Sequence, residues 1–458
     1  MDRQGPEDYS LVPWQPKYAC SRFSRQEEAS LDKPTRARAG TRLHSHETSD
    51  DNAGIGDGLE TCRSAPGCLM KSQPREHGQK VNLQILTTGL WVGGAEVVVQ
   101  DLALALDRSR FNVSVCCLKV LGPIGQGLAD EGVDICALPG AEPGRVDYLT
   151  SLKLRRLIKN KRIDIVHSHT THALVDAVLC KLATPGLKVI HTFHFGNYPH
   201  LGGRMLWMER VCSRLTDRLV AVGEFQRQQI KSVFRLRDEA VGTVLNGVRP
   251  PVPGSGDPEF RARVGAGGKI LVGTIATLIE QKGLRDLLSV ARRVRETRDD
   301  VRFVVVGDGH LRAELERLRR DLGLDDTVVF YGWLRNAAAL ALPAFDIYFQ
   351  PSLWEAMSIS ILEAMAAGKA IVSTSVGETP KVIEDHAQGV LFQPGDVNGM
   401  ADAISTLAID PRARQRLGDA AAQRVAERFT VGHMARAYEK LYLDVLQPGR
   451  RPVTNARS

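Results

Sequence analysis

The chain has 458 residues, a formal net charge of +7 and 6% aromatic residues. That length suffices for two ordinary domains with full cores. So mild a basic excess with so few aromatics argues against a nucleic-acid partner and for an anionic ligand or surface. No apolar run approaches the roughly 18 residues that cross a bilayer, and the amino-terminal stretch holds no apolar signal core, so a cytoplasmic protein is expected. The eight cysteines are scattered. Cys116, Cys117, Cys136, Cys180 and Cys212 fall in apolar or helical surroundings, as buried reduced thiols do, whereas Cys62 and Cys68 are too few for a zinc site.

Residues 1–79 are polar, charged and rich in Gly and Pro without helical or alternating pattern, so they are expected to be a disordered tail, with Met70 an alternative start. A strand is expected at 81–88, then the glycine pair Gly93–Gly94 and an apolar helix to residue 106. Glycines there let the backbone approach a ligand at a helix start, although a plain turn uses them equally well, and the GxGxxG spacing of a dinucleotide fingerprint is missing. Further strands are expected at 112–118, 134–137, 164–167, 188–192, 218–222 and 241–245, with helices between them. This first parallel α/β domain covers 80–248, and the Pro/Gly-rich stretch 249–258 is the linker. The pattern then restarts, with strands at 270–276, 301–306, 327–331, 346–350, 370–373 and 389–392 in a second domain, 259–430. Near-continuous apolar runs such as 301–307 mark strands covered on both faces of a parallel sheet. An amphipathic helix at 431–446 and a disordered tail at 447–458 close the chain.

The most informative stretch is 351–379, PSLWEAMSISILEAMAAGKAIVSTSVGET. It places Glu355 in the loop after a strand, a helix start near Ser358 and Ile359, and Glu363 one to two turns into the helix. Ligands of parallel sheets bind outside the carboxyl ends of the strands, and a helix start offers unpaired N–H groups to an anion. Two carboxylates flanking that anion site are acceptors for vicinal hydroxyls, which points to a sugar carrying phosphate.

These segments together resemble the retaining glycosyltransferases of family 4, which have the GT-B fold, over residues 81–446. Glu355 and Glu363 with seven residues between them, continuing as LEAMAAGKAIVSTSVG, carry the strongest match; GGAE (93–96), HTFH (191–194), AVGEFQ (221–226), VLNG (244–247), QKG (281–283), VGDG (306–309) and QPS (350–352) support it. The resemblance implies two facing Rossmann-like domains with parallel sheets and an interdomain cleft. The donor would be held mainly by the second domain and the acceptor by the first, with the last helix crossing back. It further implies that Glu363 grips the nucleotide ribose, Glu355 the sugar hydroxyls and Lys282 the diphosphate. Gly93 and Gly94 would close over that diphosphate, and His194 would reach the transferred sugar. Lys282, the amides near Ser358 and Ile359, and the glycine loop would form a preorganised cradle for the leaving diphosphate, with no metal needed. The expected reaction is transfer of a hexosyl unit from a nucleotide sugar to a glycan or lipid-linked acceptor in polysaccharide or glycolipid assembly. A phosphorylase or synthase of the same fold and a non-catalytic nucleotide-sugar-binding protein are the alternatives.

The chain departs from the family pattern at Thr277, where an Arg usually precedes the lysine, and at Ala356, Glu378 and Lys381. Arg makes planar bidentate contacts that Thr cannot, so Arg285 and Lys381 are candidates for compensation. His167, His169 and His172, with His191 and His194, form a histidine-rich group. No nearby carboxylate or cysteine completes a zinc set, which leaves the acceptor cleft as the expected place for one of them. The basic segment 153–162 is either a solvated helix face or a contact with anionic lipid headgroups at the inner face of the membrane, to which MLWM (205–208) could add an apolar contact.

Overall fold

The computed structural model describes residues 79–91, 93–138, 149–199, 202–252 and 254–447. The tails expected at 1–79 and 447–458, with Cys62 and Cys68, lie outside the described residues except for residues 79 and 447. The first sheet comprises β1 (Val81–Gly89), β2 (Phe111–Val120), β3 (Asp134–Ala137), β4 (Ile165–Ser168), β5 (Lys188–Phe193), β6 (Arg218–Ala221) and β7 (Val241–Thr243). The second comprises β8 (Ile270–Ile275), β9 (Val301–Val306), β10 (Val328–Gly332), β11 (Ile347–Gln350), β12 (Ala370–Thr374) and β13 (Gly389–Phe392). Every pairing between these strands is parallel. Ile347, Tyr348 and Phe349 of β11 are fully buried, as are most residues of β9, because helices cover both sheet faces.

The strand orders are β3-β2-β1-β4-β5-β6-β7 and β10-β9-β8-β11-β12-β13. Each order reverses once, between β1 and β4 in the first sheet and between β8 and β11 in the second. Such reversals open a crevice at the carboxyl ends of the two strands concerned. Gly93 and His169 follow β1 and β4, whereas Lys282 and Glu355 follow β8 and β11. Residues far apart in sequence thus converge on two crevices for a topological reason.

Most expected strands end within one or two residues of the observed ones, and two of the shifts have a clear cause. Asp164 does not begin β4 but turns its carboxylate to accept the Asn82 N–H at 2.8 Å. The strand expected at 241–245 stops at Thr243, because the chain leaves the sheet to meet the second domain, where Asn246 Nδ2 donates to the Met357 carbonyl at 3.2 Å. Cys116, Cys117, Cys180 and Cys212 are free and buried, but Cys136, on the edge strand β3, is only half-buried.

The last helix, Val431–Leu446, starts at Thr430, whose hydroxyl accepts the His433 N–H. It crosses onto the first domain. Tyr438 OH lies 3.0 Å from Thr192 Oγ1, Tyr442 OH lies 2.7 Å from His167 Nδ1, and Glu439 accepts the Asp107 N–H at 2.8 Å. Both tyrosines are exposed by 1% or less, so each hydroxyl needs the partner it has. Among the described residues no helix is long and apolar enough to cross a membrane.

Candidate functional site

The second-domain crevice is built by two loops zipped together. Gly283 has φ +62°, a left-handed conformation, and its α-carbon lies so close to the Pro351 carbonyl that no side chain fits. Beside it Leu353 N–H donates to the Gln281 carbonyl at 2.8 Å. This contact brings Lys282 Nζ to 2.6 Å from Glu355 Oε1. Gln281 Nε2 donates to the other Glu355 oxygen at 3.1 Å, while Ser352 Oγ (2.8 Å) and Gln350 Nε2 (3.2 Å) donate to Oε1. The carboxylate is 5% exposed and fully partnered, as a buried charge must be.

Ser358 caps the helix Ile359–Ala366, its hydroxyl accepting the Ile361 N–H at 3.3 Å. The cap takes the Ile361 N–H, and the first-turn amides of Ile359 and Ser360 have no intrahelical acceptor, the arrangement that suits an anion. Glu363 is on this helix and half-buried. Unlike that of Glu355, its carboxylate makes no hydrogen bond or ion pair among the described residues. Burial, with a smaller contribution from the nearby Asp101 charge, pushes its carboxyl up to about 7. Asp101 is itself paired with Arg249, Nε to Oδ1 2.6 Å, across the start of the linker. Thr277 is exposed at the end of β8.

The first domain closes on this loop at several points. Gly94, at the start of the helix Gly94–Ala105, lies so near Ile359 that an added Cβ would be 3.5 Å from its Cγ1. Gly196, just after β5, packs its backbone directly on the Glu355–Ala356 peptide, where any side chain would collide. Glu378, 3% exposed, accepts the Phe225 N–H at 2.9 Å, at the start of the helix Glu224–Phe234. Of the residues expected at the site, Glu355 and Lys282 are therefore in direct contact, and Gly94 touches Ile359 beside Ser358.

His194 and His169 bond through Nε2 and Nδ1 at 2.9 Å. Burial depresses both, His194 to about 4, so the pair is neutral at physiological pH. His167 belongs to the core instead: its ring nitrogens are taken by Tyr442 OH and by Thr192 Oγ1 at 2.8 Å. The compensating cations lie elsewhere. Arg285 is bound by Glu280 and Glu314 on the surface, and Lys381 sits 3.4 Å from Glu378. Sequence reasoning missed the support around Glu355. Gln281, Gln350 and Ser352 lay inside quoted motifs, but nothing in their spacing says that all three side chains point at one carboxylate.

Residues 257–424 match the family model for group 1 glycosyl transferases, and residues 92–250 match that for Glycosyltransferase Family 4. The chain is a family 4-like glycosyltransferase. A UDP-Gal:alpha-D-GlcNAc-diphosphoundecaprenol alpha-1,3-galactosyltransferase from Escherichia coli is 22% identical to it over 369 residues, 77% of this chain and 94% of the relative. An alpha-maltose-1-phosphate synthase from Mycolicibacterium smegmatis is 26% identical over 385 residues, 77% of this chain and 96% of the relative. Among solved structures, Anabaena HepE in complex with UDP and glucose superimposes with a TM-score of 0.70 at 20% identity, covering 79% of this chain and 99% of that one. The glycosyltransferase thus has the GT-B architecture and depends on a nucleotide sugar, and strands β2–β7 and β8–β13 fall within its matched segments.

Proposed function

We propose that this glycosyltransferase moves a hexosyl unit, with retention of anomeric configuration, from a nucleoside-diphosphate hexose to a glycan or lipid-linked acceptor. The observation that carries the proposal is the Lys282–Glu355 contact beside the capped start of Ile359–Ala366, with the unpartnered Glu363 farther along the same helix. Glu363 accepts the ribose hydroxyls; the Ile359 and Ser360 amides, Lys282 and the Gly93–Gly94 loop hold the diphosphate; Glu355 accepts hydroxyls of the hexose. The acceptor O–H attacks the anomeric carbon on the face from which the diphosphate departs. The carbon–oxygen bond to phosphate breaks, and the proton passes to the leaving phosphate oxygen. Fixed positive dipoles and Lys282 stabilise the charge that builds there, with no metal in the cradle. His194 contacts the transferred hexose from the first domain, and closure excludes water. The names of the E. coli relative and of the HepE complex favour a UDP-hexose donor, and the former favours a lipid-linked acceptor. The synthase relative supports a sugar phosphate as the second reading for the acceptor.

Thermal-shift screening of UDP-, GDP- and ADP-sugars tests the donor. A UDP-hexose is expected to give the largest rise in Tm, and Glu363→Ala to reduce it. No shift with any nucleotide sugar would remove the reading.

A cytoplasmic enzyme serving a lipid-linked acceptor gains from lying on the inner face of the membrane, and the first domain has a surface for this. The helix Thr150–Asn160 buries Leu154 and Ile158 and exposes Leu152 (61%) with Arg156 and Lys159. The neighbouring helices Thr171–Leu182 and Gly203–Leu215 add exposed Leu182 and Trp207. Arg155 has a structural task instead, donating twice to the Ala183 carbonyl, so it is left alone in the test. Removing two exposed cations forfeits about 2 kcal/mol of attraction to an anionic surface. The variant Leu152→Ser/Arg156→Ala/Lys159→Ala is therefore expected to be lost from phosphatidylglycerol vesicles in flotation, while the wild type is recovered with them. Equal recovery of the two proteins discards the membrane contact.

A further inference from the structure

Lys282 has two tasks in the proposed reaction, and they conflict. Its ammonium neutralises the Glu355 carboxylate, yet a bound diphosphate competes for the same charge. Something other than Lys282 must therefore keep Glu355 in place when the donor arrives. Gln350, the last residue of β11 and 1% exposed, is arranged for this. Its Nε2 lies 3.2 Å from Glu355 Oε1 and 3.1 Å from Ser358 Oγ. Its Oε1 accepts from Ser360 Oγ at 2.8 Å, Tyr348 OH at 3.1 Å and Ser358 Oγ at 3.2 Å. An ionised carboxylate only accepts hydrogen bonds, so the amide must turn its NH2 to Glu355 and its oxygen to the hydroxyls. At the end of a strand whose other three residues are fully buried, an apolar side chain would avoid the desolvation of an amide. The amide instead joins the carboxylate to the cap of the helix.

We propose that Gln350 is a positioning residue: one amide fixes both the Glu355 carboxylate and the Ser358 cap of the anion-binding helix, so that Lys282 can turn to the diphosphate while Glu355 stays on the hexose. This rests on the roles proposed above for Glu355 and Lys282. The Tyr348 hydroxyl also lies 3.4 Å from the Ile275 carbonyl of β8, but its single hydrogen serves the nearer Gln350 Oε1 at 3.1 Å.

The test uses the full chain and the near-isosteric change Gln350→Glu, which sets an added carboxylate against Glu355. Two carboxylates so close cannot both ionise. The variant is therefore expected to match the wild type in Tm near pH 4 and to fall below it as the pH rises to 8. The second change Glu355→Gln should restore Tm at pH 8. Consumption of UDP-glucose, UDP-galactose and GDP-mannose is measured alongside. With whichever of these the wild type consumes fastest, Gln350→Leu is expected to lower kcat by about 100-fold through misplacement of Glu355, with KM little changed. Gln350→Glu should recover part of its kcat on acidification. A kcat for Gln350→Leu equal to that of the wild type overturns the proposal, as does a Gln350→Glu defect that is independent of pH and unrelieved by Glu355→Gln. If the wild type consumes none of the three sugars, the donor reading is in error, and the Tm cycle alone decides whether Gln350 controls Glu355.

Discussion

Lys282→Met is expected to lower kcat with a UDP-hexose donor by about 100- to 1,000-fold, the usual effect of removing one preorganised donor to a developing negative charge. The same change should lower Tm for a separate reason. Lys282 and Glu355 are 17% and 6% exposed and 2.6 Å apart. Removing one partner of so enclosed a pair leaves a buried charge uncompensated, which typically destabilises by about 3–5 kcal/mol. Gln281, Gln350 and Ser352 still donate to the carboxylate, so the loss falls toward the lower end. The two effects separate in the double variant Lys282→Met/Glu355→Gln, which carries no buried charge. Denaturation curves should return close to those of the wild type while turnover remains lost. Recovery of turnover in the double variant would mean that Lys282 serves only to neutralise Glu355, and that the leaving diphosphate is stabilised elsewhere.

That contact between Lys282 and Glu355 was legible in the sequence only as topology. Each follows an apolar run recognisable as a buried parallel strand, and β8 and β11 are neighbours because the strand order reverses there. The run of apolar segments and the glycines that end them carry such information. What they do not carry is depth. His167 and His169 share one strand face and a two-residue spacing, so as a pair they suggest either a metal site or a cleft lining. Depth is decided by Tyr442, 275 residues later, which takes His167 into the core and leaves His169 to bond His194. Glu378 is a similar case. In the sequence it stands only as a departure from the pattern of the resembled family, and its role at the Phe225 N–H exists only because the two domains meet. Arg285 erred in the opposite direction: its charge fitted a missing clamp, but Glu280 and Glu314 stand closer and hold it on the surface. Local pattern fixes elements well, whereas the partner of a polar side chain is set by chain segments that no window contains.

Glu363 should reveal its role through pH. In the folded chain its carboxyl titrates at about 7 against an ordinary value of 4.5, chiefly because burial disfavours the charge and secondarily because Asp101 stands nearby. Folding therefore favours the protonated form. That stability is fully present below about 4.5 and is lost as the pH rises through 7. At pH 8 the ionised side chain weakens the fold, so Glu363→Gln is expected to raise Tm at pH 8 and to leave it unchanged near pH 4. Binding runs the other way. Ribose hydroxyls donate to an ionised carboxylate, so the affinity for UDP-glucose should climb with pH up to about 7 and then level off. Glu363→Gln should flatten that climb, and Glu363→Ala should weaken binding by about 10- to 100-fold, the worth of hydrogen bonds to a charged group. Calorimetry across pH 5.5 to 8.5 reads both quantities, and because UDP-glucose has no titrating group near 7 the slope belongs to the protein. Asp101 is the charge that acts on this carboxyl; burial raises its own carboxyl above the ordinary value, and the Arg249 guanidinium 2.6 Å away partly offsets that rise. A site that destabilises its own fold to keep an acceptor unpartnered is what a ligand-binding carboxylate requires; a variant that gains stability while keeping the full pH-dependent affinity would place the ribose contact on another residue.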